Sequence, residues 1–236
     1  MPFEQIAQGV AVRDLADSPG AAAEVTAPVA LARQQIVPLL ADFLRMHPQV
    51  RIELNPVGPV VVHRHGGFRP GHPPHRSPAR YARGMGLVRN PVGAGGPRAP
   101  TCGSQGTPRS PQDLSAHNCL HYPRPQETPA WTLRRHGDGG EATRVTVQVG
   151  GSLAANNSEA LRDAAMGGLG IALLPDFSAQ TALRSGKLIQ VLPDWQPVGP
   201  FAGHVYAIRP YSPHVPRAVS AFVDYLRGAL AGGFAR

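Results

Sequence analysis

Asn156, Asn157 and Ser158 are the residues of this sequence whose types and spacing most suggest binding chemistry. All three residue types favour the N-cap position of a helix, and Glu159 follows where the helix dipole stabilises a carboxylate. Apolar residues then recur at i, i+3, i+4 and i+8 from Leu161, which predicts an amphipathic helix. The free N–H groups at such a helix N-terminus can bind an anion if they face a cleft.

Spacing alone favours a simpler interpretation, in which this is a well-capped surface helix without a ligand. The residues that follow are typical of a helix end and a buried strand. Gly170 is predicted to be the left-handed residue after the helix, and Pro175 ends the apolar run 171–174. The anion site and the plain surface helix both stay open at this point.

The elements around this helix predict an α/β chain. Phe3 to Ala16 has a helical apolar pattern. A strand at 24–27, a helix from Pro28 to about His47 and a strand at 50–54 then form a β-α-β unit, which favours a parallel sheet. The later part predicts a short capped helix, a hairpin with its turn at 136–140, and further helices and strands: 110–114, 131–135, 143–149, 178–184, 188–191, 204–208 and 216–230.

The interval from Asn55 to Gln112 differs in composition from the rest. Its 58 residues include 11 prolines and 11 glycines, a share typical of low-complexity sequence. It also holds eight arginines and no Asp or Glu, while the remaining 15 basic residues balance 15 acidic ones. The net charge of +8 therefore comes from one segment and does not by itself indicate a nucleic-acid-binding protein.

Several fragments resemble the effector-binding domain of LysR-type transcriptional regulators, and they occur in that family's order. The resemblance covers about 24–54 and 106–230. The fragments are Val25–Pro28, Leu39–Leu44, His47–Pro48, Gly106–Pro108, Asp113–Leu114, His117–Leu120, Ala155–Asn157, Gly168–Pro175 and Leu192–Trp195.

This resemblance implies an α/β fold with two subdomains, like the type 2 periplasmic binding proteins, and with the first subdomain disrupted. It assigns 1–22 to the remnant of a linker helix. Residues 23–105 and 200–230 would form subdomain I, with 55–105 anomalous and typical of disorder, and 106–199 would form subdomain II. The family's winged helix-turn-helix, which reads DNA, is missing from this sequence.

By the same resemblance, a small metabolite, often an anion, would bind in the cleft between the subdomains. Intact members form dimers or tetramers, and they contact DNA only through the winged helix-turn-helix. Neither a cofactor, a metal nor a catalytic residue is implied. The effector-binding residues would be Thr26, Pro28, Val29, Ala30, Asn156, Asn157 and Ser158, with Pro175 and Phe177 at the cleft's edge.

The interval 55–105 matches nothing in the family, although its length is about right. We hypothesise that it is translated in a shifted reading frame, since out-of-frame GC-rich DNA tends to encode Arg, Pro, Gly, Ala and His. Permitted codons for Arg69–His75, Tyr81–Val92 and Arg98–Gly106 can be read in shifted frames as DLAIRL, RVAWASCAIL and RPHLRIAG. These strings are typical of the family and occur in its order.

Other functional classes have less support. A metal site could use His63, His65, His72 and His75, but no Cys, Asp or Glu accompanies them. The arginine-rich interval could contact nucleic acid in a salt-dependent way. An enzyme would need a nucleophile or phosphate-binding motif, and none occurs. A free-standing solute-binding protein of the same fold is the closest alternative.

Localisation is predicted from cysteines and apolar runs. Cys102 and Cys119 are the only cysteines and give no disulfide framework, which suits a reducing compartment. The sequence has neither a signal-peptide pattern nor a run of about 18 apolar residues. We therefore expect a cytoplasmic protein with no membrane partner.

Overall fold

The computed structural model describes residues 9–14, 21–57, 75–78, 85–89, 106–123, 128–136, 142–198, 206–209 and 216–231. The chain divides into two compact units, one formed by Met1–Arg83 with His204–Arg236 and the other by Gly84–Gly203. The sequence placed these boundaries at 105/106 and 199/200. Of the residues that the structure describes, β5 (Met85–Arg89) falls in the second unit.

A five-stranded sheet forms the first unit, in the order β3-β2-β1-β12-β4. β2 runs parallel to β3, and β1 runs parallel to β12, whereas β1 is antiparallel to β2. The predicted β-α-β unit with parallel strands is thereby confirmed. The strands are β1 (Gly9–Asp14), β2 (Ala21–Pro28), β3 (Val50–Val57), β4 (His75–Pro78) and β12 (Tyr206–Arg209).

β1 corrects the prediction of a helix at Phe3 to Ala16 and of a linker-helix remnant at 1–22. Residues 9–14 form a strand between β2 and β12, and Val12 is 1% exposed. The sequence Gly9-Val-Ala-Val alternates with period two and contains β-branched residues, which favour strands. The helical spacing from Phe3 had masked this shorter pattern.

The helix after β2 has three parts, which explains how it tolerates Pro38. α1 (Val29–Leu31) leads into a π-helical turn at Ala32–Ile36, and α2 (Val37–Met46) follows. Pro38 lies in the first turn of α2, where its missing N–H breaks no α-helical bond. The π turn also rotates the helix face, so that Val37 is 47% exposed whereas Ile36 is buried.

The core of the first unit joins α2 to α5 (Arg217–Ala229). Phe43 is fully buried, and its ring centroid lies 5.1 Å from that of Phe222 and 5.3 Å from that of Tyr225. Val219, Phe222 and Leu226 of α5 are buried, and Val223 is half-buried. Aromatic packing therefore fixes these two helices together.

The second unit contains two sheets, with strand orders β10-β5-β9-β6 and β11-β7-β8. The predicted hairpin is confirmed as the antiparallel pair β7 and β8. The elements are β5 (Met85–Arg89), β6 (Cys119–Leu120), β7 (Ala130–His136), β8 (Ala142–Gln148), β9 (Ile171–Pro175), β10 (Ile189–Val191), β11 (Gln196–Val198), α3 (Ser158–Met166), α4 (Asp176–Arg184) and a 3-10 helix at Pro111–Ala116.

The second unit has two apolar clusters, and the first of them includes residues of both sheets. This first cluster surrounds Leu133 and includes Cys119 and Trp131. The other packs Leu161 of α3 and Ala179 of α4 against β9.

The anomalous interval contains two short strands where its composition indicated no regular element. β4 pairs with β12 at the edge of the first sheet, and β5 lies between β9 and β10 in the second unit. The edge of the sheet is a suitable position for β4, because Pro78 has no backbone N–H to donate to a neighbouring strand. The segments 58–74, 79–84 and 90–105, with His63, His65 and His72, lie outside the described residues.

Candidate functional site

The N-terminus of α3 is the best-defined part of the candidate site. Asn157 is its N-cap, and the Asn157 side-chain oxygen accepts a hydrogen bond of 2.9 Å from the Ala160 N–H. Asn156 is exposed just before it, and Glu159 lies in the first turn. The sequence offered three cap residues, and the structure assigns this role to Asn157.

A backbone ladder holds the chain that enters α3. The Cys119 N–H donates to the Gly150 carbonyl at 2.9 Å, and the His121 N–H donates to the Leu153 carbonyl at 3.3 Å. The Ala155 N–H donates a hydrogen bond of 3.1 Å to the His121 carbonyl. The cap residues therefore follow directly on a segment anchored to β6.

Asn118, which the sequence did not single out, ties both ends of α3 to the same place. Its side-chain amide donates to the Ser152 hydroxyl at 3.0 Å and to the Leu169 carbonyl at 2.6 Å. Its side-chain oxygen accepts from the Ser152 N–H at 2.7 Å. These bonds span 34 and 51 residues of sequence, which is why spacing gave no signal for them.

The glycines after α3 have roles other than those predicted. Gly168, at φ +80°, is the left-handed residue, whereas the sequence had assigned that conformation to Gly170. Gly170 is needed for space, because a Cβ there would lie 2.1 Å from the Asn118 carbonyl oxygen. This close approach lets the chain pass from α3 into β9.

Ser158 is buried, and its hydroxyl hydrogen-bonds the hydroxyl of Tyr122. Burial raises the pKa of Tyr122 to about 12, and the bond to Ser158 acts in the opposite direction. Ser158 was predicted to contact a ligand. The structure gives its side chain an internal partner, which positions the first turn of α3.

Two serines of the second unit provide a matched stability test. The hydroxyl of Ser178 on α4 is buried and has no hydrogen-bond partner in the described structure, which costs free energy. Ser178→Ala should therefore raise the free energy of unfolding by about 1 kcal/mol, whereas Ser158→Ala should lower it by about 1 kcal/mol. Urea denaturation measures both, and changes of the same sign would contradict this assignment.

Pro175 and Phe177 were predicted to lie at the edge of a ligand cleft. Both are buried, with Phe177 only 4% exposed. Asp176, between them, is half-buried at the first position of α4, and its carboxylate accepts a 2.7 Å bond from the Phe177 N–H. In this turn, Pro175 and Phe177 expose little surface, and the polar group that reaches solvent belongs to the half-buried Asp176.

Asp176 gives the second unit a pH dependence. Burial raises the pKa of Asp176 from 3.8 to about 6, against the opposing effect of the backbone hydrogen bonds that its carboxylate accepts. The folded state therefore prefers the protonated carboxyl. The stability that this group contributes is present below pH 3.8 and is lost as the pH rises through about 6.

Asp176→Asn should remove this pH dependence while keeping an acceptor for the Phe177 N–H. A pKa rise of this size corresponds to about 3 kcal/mol, and solvent screening of a half-buried group reduces it to about 1 kcal/mol. The variant should be more stable than the parent at pH 7.5 and equally stable at pH 4. Thermal melts of the variant and the parent at both pH values measure this difference in stability. The same difference at pH 4 and at pH 7.5 would contradict the role given to Asp176.

The predicted residues of the first unit lie at the junction of β2 and α1. Thr26 and Pro28 are half-buried in the last part of β2, and Val29 begins α1. Ala30 is 2% exposed, so its side chain belongs to the core and offers almost no surface to a ligand. The α1 helix has no side-chain cap on Pro28, in contrast to α3.

A buried polar pair next to this junction was not predicted. Glu24 on β2 is almost completely buried, and its carboxylate accepts a 3.0 Å bond from the Asn55 side-chain amide on β3. Asn55 is also the register partner of Thr26. The Glu24–Asn55 pair therefore orients the polar end of β3 beside Thr26, which was predicted to contact the ligand.

Metal and membrane features were searched over the described ranges. That part of the chain contains no group of three His, Cys, Asp or Glu residues able to hold a metal ion. None of its helices has both the length and the apolar character needed to cross a membrane.

A family model described as the LysR substrate binding domain matches residues 16–231. The chain belongs to this family. It is 32% identical over 209 residues to the probable HTH-type transcriptional regulator LtrA of Klebsiella pneumoniae, a match that covers 86% of this chain and 63% of LtrA. This LysR substrate binding domain therefore spans less than two thirds of that relative's length.

Solved structures of regulators share the fold of this LysR domain. The regulatory domain of CrgA from Neisseria meningitidis gives a TM-score of 0.63 at 20% identity, covering 90% of this chain and all of that one. Full-length AphB from Vibrio cholerae gives a TM-score of 0.65 at 23% identity, covering 87% of this chain and 67% of AphB. The predicted two-subdomain α/β fold of the type 2 periplasmic-binding-protein kind is thereby confirmed.

Proposed function

We propose that this chain is the effector-sensing part of a LysR-type transcriptional regulator, and that it binds a small metabolite rather than catalysing a reaction. The observation that carries this proposal is the family match over residues 16–231. The relatives' names support it, since LtrA is named as a probable transcriptional regulator. The same names do not favour a free-standing solute-binding protein.

Each unit offers its own proposed ligand contacts. In the second unit, Asn156 and the N-terminus of α3 offer an exposed amide and N–H groups at the positive end of a helix dipole. In the first unit, Thr26 and the uncapped start of α1 offer a hydroxyl and further N–H groups. Both sets consist of hydrogen-bond donors, which supports an anionic effector such as a carboxylate.

In the proposed mechanism, the effector acts by favouring one arrangement of the regulator over another. A ligand changes such an equilibrium only by the difference in its affinity for the two states. The whole regulator would work in the cytoplasm as a dimer or tetramer. It would contact DNA through a winged helix-turn-helix.

A thermal-shift screen of this chain against small mono- and dicarboxylates tests the proposal. A ligand at 100 times its Kd should stabilise the folded state by about 2.7 kcal/mol, which raises the melting temperature by several degrees. Uncharged amides of the same acids are the control and should have a smaller effect. The absence of any stabilising carboxylate, or equal effects of acids and amides, would contradict an anionic effector.

A further inference from the structure

The outward face of the sheet β11-β7-β8 carries a row of hydrogen-bond donors that includes two neighbouring guanidinium groups. Arg134 on β7 is the register partner of Arg144 on β8 and of Gln196 on β11. Thr132 faces Thr146 in the next row, and their hydroxyls are 2.9 Å apart. Residues paired across neighbouring strands, and residues two apart along one strand, share a face.

The opposite face of the same sheet is packed. Trp131, Leu133 and Val147 alternate with the residues of the donor row and are buried in one apolar cluster. The backbone that carries the arginines is therefore held on a fixed surface. Arg134 and Arg144 are both exposed on the other side.

The two arginines have no counter-charge among the described residues. Elsewhere on the surface, Arg45, Arg162 and Arg227 each pair with a nearby aspartate. Like charges directly opposite each other on neighbouring strands destabilise a sheet. An external anion that lies across Arg134 and Arg144 would remove this repulsion.

We propose that this face binds the phosphodiester backbone of nucleic acid without reading its sequence. The row offers guanidinium, amide and hydroxyl groups, which are the side-chain donors that commonly contact phosphate. An acidic protein partner would need an apolar or aromatic anchor as well. Among the described residues the apolar side chains of this face are Ala130, Ala142 and the half-buried Val198, and the aromatic Trp131 points to the other side.

The proposal is tested by the salt dependence of duplex binding. Fluorescence anisotropy with a labelled 24-base-pair duplex of arbitrary sequence, from about 20 to 200 mM salt, gives the slope of log K against log salt. Arg134→Gln/Arg144→Gln should reduce the magnitude of this slope by about 2, because two phosphate contacts are lost. The arginine-rich interval has the same sequence in every variant, so its contribution to the slope cancels when the slopes are compared.

Two further variants make the result specific. Arg51→Gln/Arg217→Gln removes the same charge from exposed positions of the first unit and should leave the slope unchanged. Thr132→Val/Thr146→Val should weaken binding a few-fold at an unchanged slope. Equal slopes for the two arginine variants would overturn the proposal. The proposal would also be overturned if the chain bound polyglutamate through Arg134 and Arg144 and did not bind the duplex.

Discussion

Restoring the family's reading frame across 55–105 is expected to raise the free energy of unfolding by about 5 kcal/mol. Shifted codons for Tyr81 to Val92 give the apolar string RVAWASCAIL, and β5 (Met85–Arg89) lies within this stretch, between β9 and β10. Each additional buried apolar side chain contributes about 1.5–3 kcal/mol. A frame-restored chain should therefore bury two or three more such groups than the present one.

Urea denaturation compares the two chains, and the restored one should also show a larger m-value, since more surface is buried on folding. The nucleotide sequence gives an independent test. If no shifted open frame encodes the family's strings there, the hypothesis is wrong.

Phe43→Ala is expected to cost about 3–5 kcal/mol of stability in the first unit. Phe43 is fully buried, and its ring contacts Phe222 and Tyr225 of α5 as well as His47. Truncation would remove the aromatic contacts between α2 and α5 and leave a cavity. Chemical denaturation followed by circular dichroism measures the loss.

Met46→Ala on the same helix is the matched control, because Met46 is 57% exposed. Its effect should stay within about 0.5 kcal/mol. A loss below 1 kcal/mol for Phe43→Ala would show that the aromatic cluster does not hold the two helices together.

Elements with local signals were predictable from the sequence. The β7–β8 hairpin follows from alternating residues around Asp138-Gly139, and α5 follows from its apolar spacing after Pro216. β1 was not predicted, because helical spacing from Phe3 and strand alternation at Val10 and Val12 compete in one short stretch. Pairing with β2 and β12 decides between them, and pairing is a long-range property.

The candidate site was predictable only in part, for the same reason. Cap chemistry identified the start of α3, and the structure assigns the N-cap to Asn157. Local patterns could not show that Asn118 binds Ser152 and Leu169, because those contacts depend on how distant segments meet. Burial is also a tertiary property, and the sequence therefore did not show that Phe177 faces the core.

Isothermal titration of a stabilising carboxylate into variants of each unit tests the central claim most directly. Thr26→Val in the first unit and Asn156→Ala in the second should each weaken binding about tenfold, since each removes a hydrogen bond to a charged ligand. Gln190→Ala, at an exposed position of β10, is the control and should bind as the parent does. Unchanged affinity in both Thr26→Val and Asn156→Ala would contradict an effector that contacts these two residues.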